Sequence, residues 1–167
     1  MLGLSSLQKI AQLREGVSIE CKLAQGRDGT GALPEDIWKT YSAFANTRGG
    51  YIFLGLRELP DKHYKVAGVH CPKQVLDSLW QGLNDPAQVS VNLLTNEDIK
   101  IWRLQEGNVI SIKVPRAAGN QRPVYLHGSP HGHTYCRKGE GDYVCDTEQV
   151  LAMLAAQEGQ FHDSGRS

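Results

Sequence analysis

Ile37, Trp38, Tyr41, Phe44 and Ala45 recur at three- and four-residue steps, and this spacing predicts a helix with one apolar face. Pro34 suits the first turn of such a helix, where its missing N–H costs nothing. Asn46 and Thr47 weaken the helix, and Gly49-Gly50 give the backbone freedom for a left-handed exit. Tyr51 to Leu56 is apolar on both parities, which suits a strand covered on both faces. Around this unit the pattern predicts a short helix at 5–13, a strand from Val17 to Lys22 and a polar, Gly-rich loop from Gln25 to Leu33. A turn at Pro60–His63 leads to a short strand within Tyr64–Val69. Lys73 to Leu83 has helical spacing, with Val75, Leu79 and Leu83 repeating. Val89–Leu93 is a strand candidate, and Ile99–Leu104 with Val109–Val114 forms a hairpin across Gln105–Asn108. Val124–Leu126 and Thr134–Arg137 are further short strands. Thr147 to Gln157 closes the domain as a helix that Thr147 can cap. The expected fold class is α+β, a single mixed-sheet domain with flanking helices over residues 1–157 and a polar tail over 158–167.

Composition narrows the partners. The chain has 167 residues, one domain's worth and enough for a real core. Lys+Arg 18 balances Asp+Glu 18, so any nucleic-acid binding must come from a local patch or from metal ions. The longest apolar runs are about six residues, against the ~20 that span a bilayer. Met1 to Leu13 lacks a basic start, and Gln8, Lys9 and Gln12 interrupt it, so no secretory signal is expected. A soluble, cytoplasmic protein without membrane contact is the expectation. Cys21, Cys71, Cys136 and Cys145 form no C-x-x-C pair and are expected to be reduced. His127, His131, His133 and Cys136 fall close together, with His70-Cys71 as further candidates, but their spacing fits no standard zinc motif. A polar surface loop, not zinc, is expected there.

The charged residues near the first strand carry the candidate chemistry. Glu20 and Lys22 are two apart on a strand, so they share a face about 7 Å apart. Glu is depleted in strands, and a charged face there needs solvent, a partner or a function. Glu15 precedes the strand and Glu58 follows Tyr51–Leu56, so neighbouring strands would bring three carboxylates to one edge. Carboxylates are good ligands for Mg²⁺ or Mn²⁺, ions that activate water against a phosphodiester. Spacing alone favours the plainer arrangement, a Glu20–Lys22 surface pair worth a few tenths of a kcal/mol.

The ordered set Glu15…Ile19-Glu20-Cys21-Lys22, Ser42-Ala43-Phe44-Ala45-Asn46-Thr47-x-Gly49-Gly50-Tyr51-Ile52-Phe53-Leu54-Gly55-Leu56 and Val66-Ala67-Gly68-Val69 resembles the Schlafen AlbA_2 domain. Arg122-Pro123-Val124-Tyr125-Leu126 and Thr134 to Tyr143 resemble the end of that domain in bacterial members. The resemblance covers about residues 10–155, and the Ala-Phe-Ala-Asn-Thr-x-Gly-Gly block is its specific part. It implies an α+β core of Schlafen type, named for similarity to Alba nucleic-acid-binding domains. It also implies a metal-dependent endoribonuclease site of the kind that cuts tRNA and rRNA. By motif, Glu15, Glu20 and Glu58 would hold Mg or Mn, with Asp61 as the alternative third acid and Lys22 as the motif lysine. Cys21 replaces the family's usual aromatic, Gly16 its common Ser, and Glu58 its frequent Asp. Animal members pair two lobes around a groove, so a homodimer would supply the second wall here.

Candidate phosphate contacts are Arg48, Arg116, Arg122, Arg137 and Lys138, with Lys22, Arg27 and Lys39 as further cations. Tyr51, Tyr125 and Tyr135 could stack on bases, but core packing is the role expected for each. Three functions follow: an endoribonuclease on structured RNA, a non-catalytic RNA- or DNA-binding module of a regulator, and ATP binding. The last ranks lowest, because Gly26 to Gly31 lacks the lysine and Ser/Thr of a phosphate-binding loop.

Overall fold

A computed structural model describes residues 18–24, 32–61 and 63–166, without the side chains of 159–166. The helix expected at 5–13, Glu15 and Arg27 lie outside the described residues. The elements are β1 (Ile19–Lys22), α1 (Ile37–Asn46), β2 (Gly50–Leu54), β3 (Leu56–Glu58), β4 (Tyr64–Val66) and α2 (Pro72–Leu83). They continue with β5 (Ile99–Leu104), β6 (Gly107–Val114), β7 (Tyr135–Lys138), β8 (Gly141–Val144) and α3 (Thr147–Arg166). This is the expected α+β class.

The central sheet has the order β1-β2-β6-β5, with β1 parallel to β2 and the other pairs antiparallel. A parallel neighbour requires a crossover, and α1 lies in the connection. Alternation then sorts the side chains. Ile52 and Leu54 of β2, Ile110 and Ile112 of β6, and Ile99 and Ile101 of β5 share one face by register. They join Trp38, Tyr41 and Phe44 of α1 and Val75, Leu79 and Leu83 of α2 in the main core. The other face carries Phe53 and Val109, with Ile19, Cys21, Tyr51 and Trp102 packed beside them, and Leu56, Tyr64 and Val66 of the β3–β4 hairpin cover it. Glu20 pairs with Ile52 and Lys22 with Leu54, so both charges lie on the main-core face of an edge strand.

Several sequence expectations are corrected. Tyr51–Leu56 is not one strand: it breaks at Gly55, whose φ of +83° turns the chain into β3. A side chain there would stand 2.7 Å from Val69 Cγ2 and 2.9 Å from the Gly68 carbonyl carbon. Pro34 precedes α1 rather than opening it, and its carbonyl accepts from Ile37 N. The α1 exit does use Gly49, at φ +72°, whose N–H donates to Phe44 O at 2.7 Å. Val89–Leu93 and Val124–Leu126 are not strands but are joined by an isolated bridge, Val89 to Leu126. Their polar backbone is instead tied to α1 and to neighbouring loops. The β5–β6 turn is shorter than expected, because Gly107 and Asn108 extend the ladder. Asp146, not Thr147, caps α3: its Oδ1 accepts from Gln149 N at 2.8 Å while Gln149 Oε1 accepts from Asp146 N at 2.9 Å. That helix runs on to Arg166 instead of ending at Gln157.

Candidate functional site

Every α1 residue except Lys39 is buried, so its polar side chains need internal partners. Ser42 and Asn46, one turn apart, supply them. Asn46 Nδ2 donates to Val124 O and to Tyr135 O, each at 2.9 Å, while Asn46 Oδ1 accepts from Val124 N at 2.8 Å. Ser42 Oγ donates to Val124 O at 2.7 Å and accepts from Tyr135 N at 3.0 Å. The most specific block of the sequence thus splices two distant loop segments onto the central helix.

This splice delivers β7 to the sheet edge. Thr47 Oγ1 accepts from Arg137 N at 2.9 Å. The Arg137 guanidinium then bridges two carboxylates: Nη2 donates to Glu20 Oε1 at 2.8 Å and Nη1 to Asp142 Oδ1 at 2.7 Å. Asp142 Oδ2 accepts from Thr40 Oγ1 at 2.6 Å, and the guanidinium carbon lies 5.0 Å from the Phe44 ring centre. The Arg137 side chain is only 5% exposed. Burial pulls its pKa down, but hydrogen bonds and charge from Asp142 and Glu20 outweigh burial and leave it above the ordinary arginine value. Its Nε is buried without a partner. Arg137 is therefore the pivot of an internal ion-pair network, a different position from that of an exposed phosphate ligand.

Glu20 and Glu58 line one cleft of about 330 Å³, together with Arg57, Arg137 and Glu140. Parallel pairing of β1 with β2 and the bend at Gly55 bring them there. Asp61, the alternative third acid, faces elsewhere: both its oxygens hold His63, at 3.1 Å from the backbone N and 2.9 Å from Nδ1. The His63 backbone N–H, then its side chain, lowers the Asp61 pKa. Lys22 shares the Glu20 face but not its partner, since Nζ pairs with Asp36 Oδ2 at 3.1 Å. Among the described residues no three His, Cys, Asp or Glu side chains group to hold a metal ion. Glu20 is held by the Arg137 guanidinium and Glu58 lines the same cleft, while Glu15, the remaining expected ligand, lies outside the described residues. The histidine segment gives an edge-to-face His127–His133 pair, 5.1 Å between ring centres, and no such group either.

The remaining candidate cations collect where α1 ends. Arg48 follows Thr47, the residue that caps the helix. A Cβ on Gly49 would stand 3.0 Å from Arg116 N, and Ala117 N donates to Ala45 O. Lys138 follows Arg137, which is bonded to Thr47. Arg122 is two residues from Val124, bonded to Asn46. Burial, then the like charge of Arg116, lowers the Arg122 pKa, so these two guanidinium groups feel each other. Arg48, Arg116 and Lys138 are exposed, and among the described residues no ion pair engages any of the four. Tyr51, Tyr125 and Tyr135 are half-buried, and the Tyr51 ring stacks on Phe53 with centres 6.0 Å apart.

Sequence reasoning did not identify Thr40, Asp142, Ser42 or Asn46 as network members. The Ser42–Asn46 spacing of four was the available signal, since it puts two polar groups on the same helix face.

A family model described as Schlafen, AlbA_2 matches residues 15–146. No curated protein matches the sequence. Among solved structures, the chain is similar to the N-terminal domain of a Nitrosomonas europaea protein described as related to the ATP-dependent DNA helicase RecG. They share 23% identity at a TM-score of 0.55, over 84% of this chain and 91% of that one. It is also similar to the DIP2311 protein of Corynebacterium diphtheriae, with 19% identity and a TM-score of 0.59, over 93% of this chain and 28% of that one. At these identities the likeness is one of fold.

Proposed function

Because the chain belongs to the Schlafen AlbA_2 family, we propose that it is a nucleic-acid-binding domain whose phosphate contacts are Arg48, Arg116, Arg122 and Lys138. One observation carries this reading: four cations, without ion-pair partners among the described residues, gather at one end of α1 in a chain of zero net charge. An unpaired basic patch is what a neutral protein needs to release counterions from a phosphate backbone. The similarity to a RecG-related domain supports nucleic acid as the ligand class. Structured RNA is the expected ligand, with DNA as its competitor.

A second reading, endoribonuclease activity on tRNA or rRNA, is favoured by Glu20 and Glu58 lining a common cleft. Mg or Mn bound there would supply Lewis-acid stabilisation and an activated water. Glu15 and Glu20 would have to be free to act, and Glu20 is held by Arg137. A second copy of the chain would provide the facing wall, and light scattering showing monomer alone at working concentration would remove that element.

The deciding experiment incubates total tRNA with the purified protein and Mn²⁺ or Mg²⁺, beside Glu20→Ala, Arg116→Glu and an EDTA control, with gel shifts run in parallel. The binding reading expects intact RNA, a shift that Arg116→Glu weakens and indifference to EDTA. Discrete fragments that vanish with both EDTA and Glu20→Ala would establish the nuclease instead. No shift and no cleavage with RNA or DNA would end both readings.

A further inference from the structure

On the sheet face opposite the main core, register sets the neighbours. Tyr51 stands opposite Lys113, Phe53 and Lys100 opposite Ser111, and Trp102 opposite Val109. The β3–β4 hairpin covers Phe53 and Val109. Beyond it the face stays open: Lys100 and Lys113 are exposed, and Tyr51 and Trp102 are half-buried. The four strands place no carboxylate on this face, and among the described residues no ion pair engages either lysine.

Each ring is anchored by the protein on one side. Tyr51 stacks on Phe53, with ring centres 6.0 Å apart and planes 20° from parallel. The Trp102 indole N–H donates to Ser111 Oγ at 3.0 Å, so its polar edge is satisfied internally and its orientation is fixed. Its π face meets the ammonium of exposed Lys100, 3.7 Å from the ring centre. An aromatic fixed in place, with its face turned to a solvent-exposed cation, is a preorganised stacking surface. We propose that this sheet face binds an unpaired stretch of nucleic acid, with bases stacked on Tyr51 and Trp102 and phosphates on Lys113 and Lys100. The inference rests on the nucleic-acid-binding reading above and narrows its ligand to single-stranded segments, the loops of a structured RNA included.

The face is continuous with the cations at the end of α1. Gly50 pairs with Val114, and Arg48 and Arg116 each lie two residues outside that pair, at the same end of the ladder as Tyr51 and Lys113. Strand spacing and rise put Tyr51 and Trp102 roughly 17 Å apart, two strands over and four residues along. That span suits the site size of about 4–16 nucleotides found in single-strand-binding folds. Every base has a π face, so such stacking reads little sequence. A base arriving on Trp102 takes the place of the Lys100 ammonium, which is then free for the neighbouring phosphate. In a duplex the bases are already stacked on one another, and these rings gain nothing from it.

The test measures fluorescence anisotropy of a labelled oligo(U) of about 12 nucleotides, and of a blunt RNA duplex of the same length, with the full chain. Wild type is compared with Tyr51→Leu, Trp102→Leu and Arg116→Glu, their folding checked by circular dichroism. Leucine keeps the apolar packing and removes the π face. Each leucine variant should weaken oligo(U) binding about tenfold, the size of one base–aromatic stack, and leave duplex binding unchanged. Arg116→Glu should weaken both. Oligo(U) binding that neither leucine variant alters, or an equal loss for strand and duplex, would overturn the stacking face, while sensitivity to Arg116→Glu would keep the binding reading. A wild type that binds neither probe would end both. Photocross-linking of a bromouridine-substituted oligo(U) to the wild type needs no variant: cross-links on the Tyr51 or Trp102 peptide support the proposal, and cross-links confined to other peptides overturn it.

Discussion

Asn46 illustrates how much a single buried amide can carry. Its side chain meets Val124 twice and Tyr135 once, across 78 and 89 residues of sequence. Removing it leaves buried backbone groups without partners, which costs more than the bonds themselves contribute. Asn46→Ala should lower stability by about 3 kcal/mol in urea unfolding, and a loss below about 1 kcal/mol would show that the loops dock without it. Cys145 and Tyr41 each add a loss of stability at alkaline pH. Burial raises the Cys145 thiol from 9.0 to about 12, and burial raises the Tyr41 phenol above its ordinary 10.0 against a lowering contribution from the Leu93 N–H. Both folded values lie above the unfolded ones. Their stabilisation is therefore complete below pH 9, begins to fall as the unfolded thiol ionises, and is lost as the pH rises through the folded values. Melting temperature should be flat with respect to these groups at neutral pH and drop from about pH 9 upward, with Cys145→Ala showing a shallower drop.

Among elements, the β7–β8 hairpin decides where Glu20 can act. It has its own two-stranded ladder and reaches the central sheet through side chains: Thr40, Thr47, Glu20 and the Phe44 ring all engage Arg137 or Asp142. An isolated two-stranded hairpin is marginal in water, so this docking is what keeps it ordered. Arg137→Ala would strand two carboxylates that are 26% and 16% exposed, and should cost about 3 kcal/mol. A double-mutant cycle of Arg137→Met with Glu20→Gln should return a coupling of about 1–3 kcal/mol, and a value near zero would mean that the pair contributes nothing jointly. The β2–β3 break is equally specific. Gly55→Ala adds a left-handed penalty to a backbone clash, so a loss of about 3 kcal/mol by thermal unfolding is expected.

For the molecule as a whole, the distribution of charge matters more than its sum. The formal net charge is zero, yet the α1 terminus carries Arg48, Arg116, Arg122 and Lys138, while Glu20, Glu58 and Glu140 line the cleft beside β1 and β3 together with Arg57 and Arg137. Cations also suit the C-terminal end of a helix, where the carbonyl dipoles leave partial negative charge. If this end binds phosphates, replacing Arg48 or Lys138 by Ala should weaken binding of every sequence alike. The salt slope of log K should fall by about 1 for each phosphate that is no longer neutralised. An unchanged slope would move the binding face elsewhere. Among the described residues no helix is long and apolar enough to cross a membrane.

The local pattern was enough for α1, α2 and the β5–β6 hairpin, because helical and strand periods are properties of neighbouring residues and the buried Val75, Leu79 and Leu83 follow directly from them. It also marked Gly49-Gly50 as a turn, since only backbone freedom explains a glycine pair between two apolar runs. It proposed Glu20 and Glu58 as companions, and they share a cleft. Sequence could not reveal that Gly55 breaks the strand, because the clash that excludes a side chain comes from Val69 and Gly68. Nor could it reveal that Arg137, 117 residues from Glu20 along the chain, holds that carboxylate. Periodicity tells which face of an element is apolar; which distant charge meets an edge strand is set by how the loops dock on α1, and that is decided only when the chain closes on itself.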